Sequence, residues 1–459
     1  MLAATLLLAA AAPALTAQWA VINLHPDGPF DSYALCIQDG HQAGYTRESG
    51  TFLQHAAVWS GTAGSWVDLH PPGATQSTAT CVAGGQQAGW ACCFDPPTPG
   101  SPVRHAMLWS GTAASWIDLS PPGMFGEATG SFGSQQAGVS YTPTEPRAGV
   151  WSGTAASWLD LHPAAADWSW AYDTDGVQQV GIAQVNGNTH ASMWAGTAAS
   201  WKDFHPSSAL ASRALAVQGG QQVGWASYPL VQHAHLWKGT KQSLVDLHPA
   251  GAAGSLALGV HGDQQVGWVL MPTGGQRASL WSGTAASWVD LDALLAPEYS
   301  LSEAHDIWHF GNSTYVVGYA FNTAAGHYDA LMWVSPPVWT DLGSPLPGAS
   351  GAPKLSGEGL LVPGLPMSLS LAGAAPSALA LLFVALSSTP APFKGGTLVP
   401  LPPVATLPMS TSAAGKLQIG VAEWPAGASG FGVHLQFAIQ DAGAVHGVAL
   451  SNALRADVP

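Results

Sequence analysis

Charge is what this chain has least of. Asp, Glu, Lys and Arg make up 8% of its 459 residues, against roughly a quarter in ordinary soluble domains, so its surface must be built from Ser, Thr, Gln, Gly and Ala. The 12 Lys and Arg face 27 Asp and Glu, a formal net charge of −15. That balance excludes nucleic acid and anionic membrane surfaces as partners. Cysteine is scarce too. Cys36, Cys81, Cys92 and Cys93 show no CxxC spacing of the kind that holds zinc. Four cysteines suit disulfides in an exported protein, with three pairings open. Cys36 and Cys81 stand at equivalent places in successive repeats and make no obvious pair, and a Cys92–Cys93 bond would be strained. The sequence holds no HExxH, GxSxG, P-loop or glycine-rich dinucleotide fingerprint. No catalytic residue, metal or cofactor is expected from it. Long apolar runs are also missing: Leu369–Leu386 comes nearest to a membrane helix, but Gly373, Pro376 and alternating Ser make it two strands and a turn.

What the chain does have is turns and rings: 54 Gly, 35 Pro and 21 Trp, the composition of an all-β protein with short strands. Residues 1–17 are an Ala/Leu run ending in small residues, with Ala12-Pro13-Ala14 and Ala17 as cleavage candidates. They read as a secretory signal peptide, although no Lys or Arg precedes Leu6. A short membrane anchor is the competing reading, and the run is too short to span comfortably.

One stretch recurs. His105-Ala-Met-Leu-Trp109-Ser-Gly-Thr-Ala-Ala-Ser-Trp116-Ile-Asp118-Leu119 has relatives whose first Trp falls at Trp59, Trp109, Trp151, Trp194, Trp237, Trp281 and Trp333, at spacings of 50, 42, 43, 43, 44 and 52 residues. Each unit reads as four short strands. A Ser-x-Ala segment leads through a Gly-rich turn to Gln-x-x-Gly, then His-Ala-x-Leu-Trp, then Trp-x-Asp-Leu. Four strands per unit, seven times over, predict a seven-bladed β-propeller across residues 19–345. Trp19-Ala-Val-Ile-Asn-Leu24 is an eighth, degenerate copy of the fourth strand. It is a natural closing strand, expected to pair near Ala330–Trp333 or Trp339–Leu342, with Trp339-Thr-Asp341-Leu342 left as a spare or exit strand. An open solenoid is the alternative.

Residues 346–459 form a second module. Gly343 to Leu365 is rich in Gly, Pro and Ser and reads as a linker. Beyond it Met367/Leu369/Leu371, Leu417/Ile419/Val421 and Val433/Leu435/Phe437/Ile439 alternate with polar or small residues. That period of two predicts a small β-sandwich.

The order Asp-Leu, Ser-x-Ala, Gln-x-Val-Gly, His-Ala-x-Leu-Trp resembles the bacterial extracellular HAF repeats, named for a His-Ala-Phe motif, from Trp19 to Leu342. The chain departs from them with Met, Val, Ser or His in place of Phe, and with His-Pro after Asp-Leu. Pro392-Phe393-Lys394-Gly395-Gly396 and Ser451-Asn452-Ala453 are similar to C-terminal modules of some secreted bacterial proteins. The resemblance implies export and a repeat fold, and no established activity.

Two sets of residues invite a functional reading. His-Pro recurs at His25, His70, His162, His205 and His248, broken by Ser120 and Asp292; His-Ala recurs at His55, His105, His190 and His233, replaced elsewhere by Arg147, Arg277 and Asp329. Repeated positions in a ring sit far apart, so these histidines are expected to hydrogen-bond within blades, with Asp68 and its counterparts. The periodic Trp residues are expected in the core. The aromatics outside the period, Trp168, Trp170, Tyr172, Trp308 and Tyr328, are the candidate ligand contacts. The sequence therefore suggests an exported, monomeric, non-enzymatic protein that binds a protein or carbohydrate through loops on one propeller face. A carbohydrate-binding or carbohydrate-active site in the central funnel is the alternative.

Overall fold

The structure, a computed structural model, describes residues 19–51, 53–92, 103–311, 313–426 and 430–458. The signal-peptide segment and Cys93 lie outside the described residues.

Six four-stranded antiparallel sheets follow one plan. In blade 1 the strands are Asp31–Gln38, His41–Arg47, Gln54–Trp59 and Val67–Asp68, in spatial order. The turn between the first two strands puts Asp39 and Gly40 at positive φ, 52° and 76°, as a two-residue hairpin of this twist requires. The third strand reaches the fourth through Ser60–Ser65. There the Ser65 hydroxyl donates to the Thr62 carbonyl at 2.6 Å and accepts the Ser60 N–H at 2.8 Å, which makes Ser-Gly-Thr-Ala-x-Ser a self-closing loop. The seventh sheet takes Tyr299–Phe310, Ser313–Asn322 and His327–Ser335 from the last repeat, and Ala20–Asn23 from the start. Ala20 pairs with Val334 and Asn23 with Leu331. The ring is thus closed by the N-terminal strand, at the first of the two expected places.

The Gln-x-x-Gly signal has a steric origin. The first strand of each blade bulges after its Ser-x-Ala alanine, as between Ala34 and Cys36, and this turns a carbonyl onto the facing glycine. A Cβ at Gly44 would overlap the Tyr33 oxygen; Gly89, Gly138, Gly181, Gly224, Gly267 and Gly318 meet the same obstruction. The glutamine of the motif closes the far end. Gln42 Oε1 accepts the Gly61 N–H at 2.8 Å, and five further blades repeat the bond.

Neighbouring blades are joined by one tryptophan per interface and, at six of the seven, by one serine. All seven first-position Trp side chains are fully buried. Trp151 of blade 3, for instance, fills a layer made by Ala88, Ala106, Leu108 and Leu119 of blade 2. Small residues on the facing sheet leave room for the indole, and the indole supplies most of the buried apolar area. The Ser-x-Ala serine reaches back one blade: Ser77 Oγ accepts the Ala56 N–H at 2.9 Å, and Ser32 Oγ accepts Ala330 N–H at 2.8 Å across the closure.

The second module is a sandwich. One sheet contains Trp339–Gly343, Ala453–Asp457, Gly432–Gln440, Leu379–Ala385 and Ala405–Ser410, with Val448–Leu450 beside Gly432–Gln440; the other holds Lys354–Glu358, Met367–Ala372 and Leu417–Val421. Leu355, Leu369 and Leu371 are buried against Leu382, Phe437 and Ile439. Trp339-Thr-Asp-Leu is the exit strand from the ring and serves the sandwich. The stretch 343–365, linker-like in composition, holds the strand Lys354–Glu358 and buries Leu360, Leu361, Val362 and Leu365. Leu360 lies over Gly61 and Leu365 over Gly40, so the sandwich seats on blade 1.

Truncating a wedge indole leaves a large cavity, typically costing about 3–5 kcal/mol. Trp194→Ala should therefore lower the unfolding temperature strongly, whereas Trp168→Ala, at a half-exposed position, should change it little. Thermal unfolding of the pair checks this.

Candidate functional site

Strands one and three of every blade run the same way. The turns after strand one and the loops after strand three therefore share one rim, called lower here, and the remaining connections form the upper rim. The His and Asp residues cluster on the upper rim. His55 Nδ1 lies 3.1 Å from Asp68 Oδ2, and His105–Asp118, His190–Asp203 and His233–Asp246 repeat the pair at 2.8 to 3.0 Å. Arg147 and Arg277 bond Asp160 and Asp290 in the same way at 2.9 and 2.6 Å.

The His-Pro histidines form a second layer, stacked on the first: His55 and His70 ring centroids are 3.9 Å apart. His70 Nε2 meets the Ala74 carbonyl at 2.9 Å and its Nδ1 meets Ser77 Oγ at 2.9 Å. A carbonyl only accepts, so Nε2 carries the proton and the serine hydroxyl donates to Nδ1. Burial lowers the His70 pKa, which keeps the ring neutral. A Ser–His hydrogen bond is the beginning of a nucleophile, but Ser77 is fully buried and its oxygen is already holding Ala56. The breaks in the series follow the same logic. Where Gly126 replaces the serine, Ser120 takes the Ala106 N–H at 3.0 Å; where Asp292 replaces the histidine, it accepts from Ser302 Oγ at 2.6 Å.

The axis is lined by one position of each first strand: Cys36, Cys81, Gly130, Asp173, Ala216, Gly259 and Asp306. Here sequence spacing misleads. Equivalent positions on adjacent innermost strands are neighbours, and Cys36 Sγ lies 3.0 Å from Cys81 Sγ. Cys36 and Cys81 are thus the adjacent pair that their repeat positions argued against. The hydrogen bond to Cys81 and burial hold the Cys36 thiol well above its ordinary pKa. Each carboxylate reaches the next blade: Asp173 Oδ2 accepts the Val217 N–H at 2.9 Å and Asp306 Oδ2 accepts the Ile37 N–H at 2.8 Å across the closure. Behind each Asp stands a glycine, since a Cβ at Gly130 would crowd Asp173 and one at Gly259 would crowd Asp306. The space left at the lower mouth of the channel is about 110 Å³.

A larger cleft, of about 380 Å³, opens at the lower rim between the seam of the ring and the sandwich. Ala20, Ile22 and Val334 form one wall, the Gly61–Gly64 loop a second, and Trp339 with Gly357–Gly359 a third. Trp339 is fixed in place: Nε1 donates to the Gly359 carbonyl at 2.8 Å and Gly357 presses on the ring. The loop wall is also unusual. At the centre of this loop the other repeats carry Ala114, Ala156, Ala199, Gln242 and Ala286, and only blade 1 has glycine, Gly64, with open space where a Cβ would stand.

The five aromatics outside the period do not form one site. Trp170 stacks with Tyr172 at 5.9 Å and meets the Tyr141 edge at 5.9 Å; Tyr172 accepts from Arg213 at 3.2 Å. Trp168 lies two residues before Trp170 on the same strand and is half-exposed. Trp308 is buried at the channel mouth against Phe310 and Tyr315. Tyr328 lies in blade 7 among Tyr33, Tyr319 and Phe321. The cleft residues were not among the expected contacts. Trp339 reads as a spare repeat element, and the signal for Gly64 was its departure from Ala-Ala-Ser.

No family model and no curated protein matches the chain. Solved structures do, at low identity. The β-propeller domain of the Trilobed protease from Pyrococcus furiosus, with an open velcro topology, is 8% identical at TM-score 0.42, over 66% of this chain and 94% of that one. TolB from Acinetobacter baumannii is 11% identical at 0.35, over 65% and 82%. A prolyl endopeptidase is 11% identical at 0.42, over 75% of this chain and 54% of that one, so this chain spans about half its length. The likeness is one of fold alone. In its own seven sheets the chain is a β-propeller followed by a β-sandwich. Among the described residues no helix is long and apolar enough to cross a membrane.

Enclosure in the channel pushes Asp173 up to about 7 and Asp306 to about 6. A carboxyl whose folded pKa is raised favours folding at low pH, and that contribution is lost as pH rises from about 4 to about 7. Asp173→Asn keeps the neutral form. Between about pH 5 and about pH 8 its melting temperature should therefore rise relative to the parent; a constant difference across that range would mean that Asp173 ionises normally.

Proposed function

We propose that this is an exported, non-enzymatic binding protein whose ligand occupies the cleft between the ring seam and the sandwich, and that the ligand is a carbohydrate. The observation that carries the reading is the pairing of a fixed aromatic wall, Trp339, with the one repeat loop hollowed by a glycine, Gly64. A cleft of about 380 Å³ falls within the range of small-ligand sites, about 300–1,000 Å³. The channel mouth, at about 110 Å³, falls below that range. An indole offers its face to the C–H surface of a sugar ring, and the exposed carboxylate of Glu358 beside it accepts hydroxyl protons. Few charges elsewhere in the lining suit a neutral polyol. Against catalysis stand the bonds already made: the upper-rim Asp residues hold His or Arg, and Asp173 and Asp306 hold backbone amides. Export fits the apolar N-terminal run and the resemblance to extracellular HAF repeats.

Gly64→Trp fills the cleft at a position where other repeats carry side chains. Calorimetric titration with a panel of soluble oligosaccharides should find a binder for the parent and none for the variant, with both proteins melting at the same temperature. Unchanged binding in Gly64→Trp would place the site elsewhere, and a panel without any binder would overturn the carbohydrate assignment.

A further inference from the structure

At the upper end of the seam the repeat breaks in a second way. Six blades set a His or Arg on the third strand against an Asp on the fourth. In blade 7 the His or Arg place is taken by Asp329 and the acid's by Asn23, 3.1 Å apart. Asp329 is buried, 1% exposed. Its Oδ2 accepts from Asn23 Nδ2 at 3.1 Å, Tyr299 OH at 2.8 Å and Asn322 Nδ2 at 3.1 Å. Its Oδ1 accepts no hydrogen bond from any described residue. Around that oxygen stand two imidazoles: His327 Nδ1 at 2.9 Å and His25 Nδ1 at 3.6 Å, with the rings stacked at 4.4 Å.

This differs from the pairs in other blades. His55 and Asp68 share a directed hydrogen bond. Oδ1 of Asp329 and Nδ1 of His327 stand at ion-pair distance yet share none, and both atoms are buried without a hydrogen-bond partner. Three donor atoms, one from each residue, lie within 4.8 Å of one another. An ion bound at about 2.0–2.1 Å holds its ligand atoms about 2.9–3.6 Å apart, for angles of roughly 90–120°. The two separations measured from Oδ1 match those limits.

We propose that His25, His327 and Asp329 bind a divalent first-row transition ion, with Zn²⁺ the best match to two imidazoles and a carboxylate. The ion would give the buried carboxylate a partner where the other blades use a His or an Arg. His327 stands outside the repeat, its place being held in the other blades by Leu53, Val103, Glu145, Asn188, Val231 and Gly275. His25 must give up one bond, its Nδ1 being 2.8 Å from Ser32 Oγ. That oxygen still accepts the Ala330 N–H, while the His25 ring turns so that its Nδ1 lone pair leaves the serine for the ion. The ligands come from both ends of the ring. His25 follows the closing N-terminal strand, while His327 and Asp329 lie on the strand that it pairs with. The ion is therefore a clasp on the closure.

The test uses the full chain, stripped with a chelator and titrated with ZnCl₂ by calorimetry and by thermal unfolding. One equivalent should bind, and the melting temperature should rise until that equivalent is reached. His327→Val installs the residue that two other repeats carry. It should melt like the stripped parent and bind Zn²⁺ at least about tenfold more weakly. Asp329→Asn should do the same to binding and serves as the second variant. Absence of one-equivalent binding in the parent overturns the proposal. So does binding that survives both substitutions, since it would belong to the periodic histidines.

Discussion

A ring of sheets is held by interfaces between blades, and the last interface has to be made from the two ends of the repeat array. Six junctions here join consecutive stretches of chain. The seventh repeats their parts across almost the whole length of the ring: Trp59 wedged against blade 7, Ser32 Oγ on the Ala330 amide, and Asp306 on the Ile37 amide. Ala20–Asn23 adds the missing outer strand. Opening this junction would expose an apolar layer and free a sheet edge. The sandwich seats on blade 1 beside it, through Leu360 and Leu365. Stabilisation of the closure and the chain's departures from symmetry therefore coincide.

The histidines and acids show how a repeat protein with few charges uses them. Asp68 and its counterparts fix the upper rim, and Asp173 and Asp306 carry hydrogen bonds from blade to blade in the channel. What the repeat does not need collects at the seam, where Trp339 and Gly64 face a cleft and Asp329 faces two imidazoles.

Whatever depends on periodicity within one unit was legible in the sequence. The strand pattern, the burial of all seven Trp residues and the N-terminal closing strand follow from spacing alone, because each is decided inside a blade or by counting blades. What depends on register between blades was not. Cys36 and Cys81 look remote at 45 residues' separation, yet the innermost strands set them side by side. Ser120 and Asp292 look like lapses in a histidine series until Gly126 and Ser302 of the next blades are placed beside them. His327 carries no periodic signal, and Trp339 looks like an eighth repeat end. The candidate site was the least legible part, since its walls come from blade 1, blade 7 and the sandwich.

The glycines at the axis have one more consequence. Gly130 leaves room for Asp173 of the following blade, and Gly259 for Asp306. Each is a lock and key cut into neighbouring repeats, so the units are alike in outline and unlike in their edges. Copying the blade of Asp173 or Asp306 in tandem would set an aspartate against a side chain, and copying that of Gly130 or Gly259 would set a glycine against a void. At these two joints the order of the blades is written into the contact itself.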